Sequence, residues 1–214
     1  MPVSPIRSAF IEAATAAADL LADPAVRAHW AGLSALPEFR VSGVAGHLAL
    51  QVRYVAAFLA EPAPTGPAGT LAAHYGQADW IGAAIDDEAN VSTRDDGEAA
   101  AVDGPLTLAA EVAAMVSDLA VALPAADAER LVRLPWADRL LTLDDFLLTR
   151  VMEIAIHSDD LAVSVGVATP ALPPEVTDPV LALLTSIAVR RHGALPLMRA
   201  LSRRERAPES IAAF

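Results

Sequence analysis

The amino-acid sequence predicts an all-α protein, on three observations. Alanine, the residue with the highest helix propensity, accounts for 48 of the 214 residues. Aromatic residues, which are enriched in β-strands, make up only 5% of the chain. Apolar residues also recur at helical spacing over four long segments. Several long amphipathic helices in one chain of this length favour a bundle, so we expect a four-helix bundle.

Each of the four long helices combines an apolar stripe with a start or stop signal. Pro5 takes the first helical position after Ser4. Ser42 is expected to cap the second helix, and Pro124 is expected to stop the third. The fourth opens on a loose capping box, Thr142–Asp145, in which Asp replaces the usual Glu or Gln. The expected ranges, in order, are 5–21, 43–60, 107–123 and 144–166.

Shorter elements are expected in the connections. Residues 86–105 are acidic and are predicted to be irregular, apart from a short helix around Glu98. The apolar residues on both sides of Pro135 indicate at most a small β-hairpin near 130–142. The other expected elements are short helical segments at 24–30 and 70–85, a Pro-rich connector at 167–179, a helix at 180–192 and a basic tail. We expect one bundle over 1–166, with 167–214 forming a C-terminal helix and tail packed on the same domain.

Composition excludes several classes of function. The net charge is −12, and a chain this acidic repels phosphate backbones and anionic membrane surfaces. Lysine is absent, which excludes Schiff-base chemistry and a Walker A lysine. Cysteine is also absent, which excludes disulfides, cysteine nucleophiles and thiolate metal sites. With no signal-peptide pattern and no apolar run of transmembrane length, we expect a cytoplasmic protein without membrane spans.

A carboxylate and an imidazole share one face of the fourth helix. Glu153 and His157 are four residues apart, so both can hold one metal ion without distorting the backbone. The stripe that they occupy is otherwise apolar, and polar groups that point into a core require a partner. A Glu–His hydrogen bond, or an ion pair between Arg150 and Glu153, would also satisfy that requirement.

His47 strengthens the metal interpretation. It lies among apolar residues of the second helix, and a bundle would bring it beside the Glu–His pair. A His–Glu–His set leaves open positions on a zinc-like ion, which is typical of catalytic sites. His29 and His192 lie near helix ends and are interpreted as structural. His74 and Tyr75 are candidates for the pocket mouth.

Three segments carry a resemblance to a known family. They are PEFRVSGVAGHLA around His47, LTLDDFLLTRVMEIAIHSDDLA with its R-x-x-E-x-x-x-H-x-x-D-L core, and the closing RALSRRERAPESIAAF. In this order they resemble the mycothiol-dependent maleylpyruvate isomerase N-terminal family, within the wider DinB-like (YfiT-like) metalloprotein superfamily. The resemblance spans nearly the whole chain. It implies a DinB-like four-helix bundle whose metal ligands are His47, Glu153 and His157.

Four further residues are candidates for the site, and two of them, Asp160 and Arg150, are suggested by the same resemblance. Asp160 matches the family's D-L acid and is expected either to orient His157 or to be a solvated or capping acid. Arg150 matches the family arginine, and its role is either contact with substrate or an ion pair with a nearby acid. Arg203 and Arg204 in the tail form a solvated basic face or, with the tail folded over the bundle end, bind a carboxylate of substrate or thiol.

The activity implied by the resemblance is that of a divalent-metal-dependent transferase or isomerase. Mycothiol or a similar small thiol is the expected cosubstrate, a small electrophile the substrate and Zn²⁺ the expected metal. We expect no nucleic-acid or membrane partner, and a monomer or homodimer. Two alternatives keep the same ligands: a hydrolase that activates water, or a non-catalytic member that binds a metal or small molecule. The isomerase itself has a further C-terminal domain, whereas 48 residues follow Gly166 here.

Overall fold

The computed structural model describes residues 4–78, 80–134 and 136–214, and its architecture is all-α, as predicted. Two short antiparallel strands and a closing 3₁₀ turn, Arg204–Arg206, accompany the helices. The elements in chain order are α1 (Pro5–Leu21), α2 (Pro24–His29), α3 (Val41–Ala60), α4 (Leu71–Tyr75), α5 (Glu88–Ala100), α6 (Pro105–Ala125), β1 (Leu131–Leu134), β2 (Arg139–Thr142), α7 (Leu143–Val165), α8 (Pro174–His192) and α9 (Ala194–Ser202).

A four-helix bundle is formed by α1, α3, α6 and α7. Helices α1 and α3 each pack against both α6 and α7, so α1 and α3 lie diagonally across the bundle. Apolar side chains from all four helices fill the space between them, because each helix has its apolar stripe on the inner face. The largest fully buried side chains include Phe10, Leu48, Leu123, Phe146 and Ile154. Outside the bundle, α8 packs against α1 and α7.

The long helix α7 begins and ends as the sequence predicts. The Thr142 hydroxyl accepts a hydrogen bond of 3.1 Å from the backbone N–H of Asp145, which caps the first turn. Gly166 ends the helix in the left-handed conformation, with φ of 73°. Helix α6 extends slightly beyond its expected range and includes Pro124 in its last turn.

The capping role predicted for Ser42 is wrong. Helix α3 begins one residue earlier, at Val41, with Arg40 in the N-cap position. The Ser42 hydroxyl instead donates a hydrogen bond of 2.7 Å to the Glu98 carboxylate of α5. The Ser42 hydroxyl therefore bonds a side chain of a neighbouring helix and not, as the sequence suggested, a backbone N–H of its own helix.

Helix α5 is longer than predicted, because packing stabilises a segment with poor helix propensity. The sequence indicated an irregular acidic stretch, whereas the chain is helical over 13 residues. Gly97 of α5 faces Gly43 and Gly46 of α3. A Cβ built at Gly46 would lie 1.9 Å from the Gly97 carbonyl oxygen, so only glycine permits this approach. The two backbones thus meet directly, and α5 forms a wall beside α3.

Two other predicted boundaries are corrected. Among the described residues of 70–85, the expected helix covers only α4, since Gly76 follows it and Gly82 has φ of 76°. The connector expected at 167–179 is shorter, because α8 already begins at Pro174. Proline is suited to that first helical position, where its missing N–H leaves no hydrogen bond unmade.

The predicted hairpin is present as β1 and β2, paired from Leu131 with Thr142 to Leu134 with Arg139. Pro135, expected in its turn, lies outside the described residues. By length and composition, α3 and α6 could each cross a membrane, which the sequence analysis did not anticipate. Both helices pack within the bundle, and core helices of bundles meet the same criterion.

Candidate metal centre

The packing of α3 against α7 brings the three expected ligands together. The Nε2 atom of His47 lies 3.7 Å from a Glu153 carboxylate oxygen, and the Nε2 atom of His157 lies 3.2 Å from the same oxygen. The two imidazole rings are 4.6 Å apart and nearly perpendicular. One potential ligand atom from each residue lies within 4.8 Å of the other two. The bundle therefore forms the cluster that the sequence predicted.

The three side chains fit a zinc-like ion. Bonds of about 2.0–2.1 Å at tetrahedral angles place neighbouring ligand atoms about 3.3 Å apart. The distances from Glu153 to the two histidines, 3.2 and 3.7 Å, are close to that spacing. Two imidazole nitrogens and one carboxylate oxygen are donors that zinc accepts, and three ligands leave a position for an external one.

Asp160 orients the His157 ring. The Nδ1 atom of His157 lies 2.9 Å from an Asp160 carboxylate oxygen, so Nδ1–H donates and Nε2 faces Glu153. Burial lowers the pKa of His157, but the hydrogen bonds to Asp160 and Glu153 outweigh it and raise the pKa to about 9. A ring held in this way presents Nε2 toward the other two ligands.

The pKa values of Glu153 and His47 move in directions that suit metal ligands. Burial raises the pKa of Glu153, but hydrogen bonds from His157 and His47 outweigh it and hold the pKa well below its usual range. Burial lowers the pKa of His47, and this effect exceeds the hydrogen bond to Glu153 that raises it. The cluster thus contains an ionised carboxylate and a neutral imidazole, whose Nε2 lies 3.2 Å from the Gln51 amide nitrogen.

Arg150 of α7 is linked to α3 by a hydrogen bond to the Gln51 side chain. Its guanidinium donates to the Gln51 side-chain oxygen and, over 3.0 Å, to the Thr149 hydroxyl. The Gln51 amide donates over 2.8 Å to the backbone carbonyl of His47. Arg150 is buried and forms no ion pair with a described carboxylate, so the expected pair with Glu153 is not formed.

A cavity of about 640 Å³ opens above the three ligands. Polar residues of α5, among them Asn90, Thr93 and Asp96, form one wall. The tip of the β-hairpin contributes Trp136 and Arg139, and the end of the chain contributes Phe214. This volume is within the usual range for small-molecule sites. The centre is therefore accessible to a ligand much larger than water.

The remaining predicted residues fall into two groups. His74 and Tyr75 are buried and line the cavity, and their place at its mouth stays a prediction. Arg203 and Arg204 are exposed and lie outside the cavity lining, so their role in binding an acid stays a prediction. His29 is exposed and His192 is half-buried, and each bonds a backbone carbonyl, of Ala25 and of Ala212 respectively.

Sequence reasoning missed several cavity residues. Gln51 follows His47 by four residues, so helical spacing alone could have placed it on the same face. Arg139, Trp136 and Phe214 reach the cavity from the hairpin and the tail, and no local pattern marks them. The tail does fold back to this end of the bundle, but it contributes an aromatic ring to the cavity.

One family model matches the chain. It is described as the mycothiol maleylpyruvate isomerase N-terminal domain, and it covers residues 10–162. The matched range contains His47, Glu153, His157 and Asp160. No curated protein and no solved structure matches.

Proposed function

Because the chain belongs to the mycothiol maleylpyruvate isomerase N-terminal family, we propose that it is a divalent-metal-dependent enzyme with a thiol cosubstrate. The cosubstrate is a low-molecular-weight thiol such as mycothiol. The reaction is transfer of its sulfur to a small electrophile, or isomerisation of that electrophile by addition and loss of the thiol. Zn²⁺ is the metal that we expect, and the cytoplasm, where small thiols stay reduced, is the expected location.

The observation that carries this proposal is a three-ligand cluster facing a large cavity in a chain without cysteine. His47, Glu153 and His157 leave part of an ion's coordination shell for an external donor. Zinc-like ions favour sulfur donors, and the chain has none of its own. The cavity of about 640 Å³ has room for both a thiol and an electrophile.

The side chains of the centre set its charge and orientation. A divalent ion, when bound, would keep a coordinating thiol in the deprotonated form at neutral pH. Glu153 supplies one negative charge and the two imidazoles none, so the site stays net positive and favours a thiolate. Asp160 fixes the orientation of His157, and Gln51 bonds both the His47 backbone and Arg150. Arg150 lines the cavity, where its positive charge would balance a negative charge on a bound substrate.

The metal content of purified variants tests the centre. His47→Ala and His157→Ala are expected to lose most of the bound metal, because each removes one of three ligands. His29→Ala and His192→Ala are matched controls at positions outside the cavity lining and should retain it. Elemental analysis measures the metal-to-protein ratio. Equal metal content in all four variants would contradict the site.

A thiol-consumption assay tests the reaction. The metal-loaded protein is incubated with mycothiol and a panel of electrophiles, and products are compared with and without the thiol. We expect a product only when thiol and metal are both present. A product that forms equally without thiol would replace the proposal with a hydrolase. Metal binding without any product would favour a binding protein.

A further inference from the structure

The cavity is unusually rich in aromatic side chains. The chain has ten Phe, Trp and Tyr residues, and five of them line this one cavity. They are Tyr54, Tyr75, Trp80, Trp136 and Phe214. Aromatic residues are scarce in the sequence, so their concentration here is a property of the site and not of the composition.

Four of these rings form two packed groups. Tyr54 and Trp136 are tilted against each other with centroids 5.0 Å apart, and Trp80 and Phe214 are packed similarly at 4.9 Å. The first group joins α3 to the hairpin, and the second joins the loop after α4 to the tail. A flat ring in the cavity can contact either group face to edge, the geometry that aromatic pairs prefer.

The cavity lining also contains two arginines, although the protein as a whole is acidic. They are Arg139 and Arg150, and neither forms an ion pair with a described carboxylate. Arg139 bonds the Ala73 carbonyl and the Gln77 side chain. The acids in the described lining are Asp96 and Glu153, and Glu153 is bonded to His157. A chain of net charge −12 therefore surrounds a cavity in which neither arginine pairs with an acid within residues 4–78, 80–134 and 136–214.

Polar groups beside the arginines lack partners. His74 is buried, and its Nδ1 atom has no hydrogen-bond partner among the described residues; the same holds for the Tyr75 hydroxyl. Burial, with Arg139 and Arg150 nearby, lowers the pKa of His74 to about 4, so its ring is neutral at pH 7. Buried polar atoms without partners are uncommon in proteins, and in a cavity they indicate capacity to bind a polar ligand.

We propose that the cavity binds an aromatic carboxylate, with its ring against the Tyr54–Trp136 and Trp80–Phe214 groups and its carboxylate at Arg139 and Arg150. This inference rests on the proposed function, because it names the substrate class for the same site. Aromatic packing selects the ring, and the arginines select the charge. A neutral aromatic compound and a non-aromatic acid each satisfy only half of the site.

Three compounds of similar shape separate the contribution of the aromatic ring from that of the negative charge. We would titrate 2-naphthoate, neutral 2-naphthamide and non-aromatic decahydro-2-naphthoate into metal-free protein and measure Kd by calorimetry. We expect 2-naphthoate to bind at least about tenfold more tightly than either analogue, since the amide lacks the charge-assisted hydrogen bonds and the decahydro acid lacks the aromatic contacts. Equal binding of 2-naphthamide would overturn the anion subsite, and equal binding of the decahydro acid would overturn the aromatic one.

Two arginine variants of the hairpin test whether Arg139 binds the carboxylate. Arg139→Gln is expected to remove the preference for 2-naphthoate over 2-naphthamide. Arg133→Gln is the matched control, since Arg133 is exposed and pairs with Asp138 outside the cavity. Loss of the preference in both variants, or in neither, would contradict the proposal.

The use of metal-free protein separates this inference from the proposed function. Binding of 2-naphthoate without thiol activity would leave the subsite standing and reject the reaction. Thiol activity without any preference for 2-naphthoate would reject the subsite alone.

Discussion

Replacement of Asp160 by asparagine tests whether the Asp160 carboxylate strengthens metal binding by His157. The change keeps the size of the side chain but removes the charge that lies 2.9 Å from His157 Nδ1. A carboxylate behind a ligating histidine makes that ligand more basic, and its loss typically costs about 10–100-fold in metal affinity. We therefore expect zinc affinity at pH 9 to fall by about that factor, or about 1.4–2.7 kcal/mol.

The difference between wild type and Asp160→Asn should depend on pH. In the metal-free wild type, the pKa of His157 is about 9, so at pH 7 zinc must displace a proton. Competition from that proton lowers the zinc affinity at pH 7 by about two orders of magnitude, or about 3 kcal/mol. Asparagine does not raise the pKa in this way, so the variant has less proton competition at pH 7. The affinity gap should be largest near pH 9 and should narrow toward pH 7.

The measurement is a competition titration with a zinc chelator at pH 7, 8 and 9. Asp159→Asn is the matched control, because Asp159 is the exposed neighbour that bonds Thr169 instead of a ligand. It should change affinity less than about twofold at every pH. An unchanged affinity in Asp160→Asn at pH 9, or a gap that is constant from pH 7 to 9, would refute the reasoning.

Two further predictions concern stability. Gly46→Ala should lower the free energy of unfolding, measured in urea, by about 3 kcal/mol, because its Cβ would lie 1.9 Å from the Gly97 carbonyl oxygen. The exposed Val163→Ala is the control, and a loss below 1 kcal/mol in Gly46→Ala would show that α3 and α5 do not meet as described. Because the pKa of His157 is raised, its protonation stabilises the folded metal-free protein. That stabilisation is complete below pH 6.5 and is lost as the pH rises through about 9. The unfolding free energy should therefore fall by about 3 kcal/mol between pH 6.5 and 9, and by much less in His157→Gln; equal pH profiles would contradict the pKa shift.

The sequence predicts the parts of this fold that are encoded locally. The bundle helices follow from apolar stripes and from caps such as Thr142, which depend on residues a few positions apart. Glu153 and His157 follow from their spacing on one turn of α7. All three residues lie on apolar helix faces, and the helices of a bundle pack by those faces. The sequence therefore also predicts that His47 lies beside Glu153 and His157.

The parts that depend on distant contacts could not be predicted. Helix α5 forms because Gly97 reaches Gly43 and Gly46, which are about fifty residues earlier in the chain. The cavity wall is assembled from a hairpin, a loop and the tail, so Trp136 and Phe214 have no local signal. Arg203 and Arg204 were the conspicuous charges of the tail, yet the residue that reaches the cavity is Phe214.

The most direct test of the central claim is cobalt substitution followed by titration with mycothiol. The protein has no cysteine, so any sulfur-to-cobalt charge-transfer absorption must come from the added thiol. We expect this absorption to appear with one equivalent of thiol per bound cobalt ion, and to be absent from His47→Ala. A cobalt spectrum that no thiol changes, in protein shown to contain the metal, would contradict a thiol-dependent function for this centre.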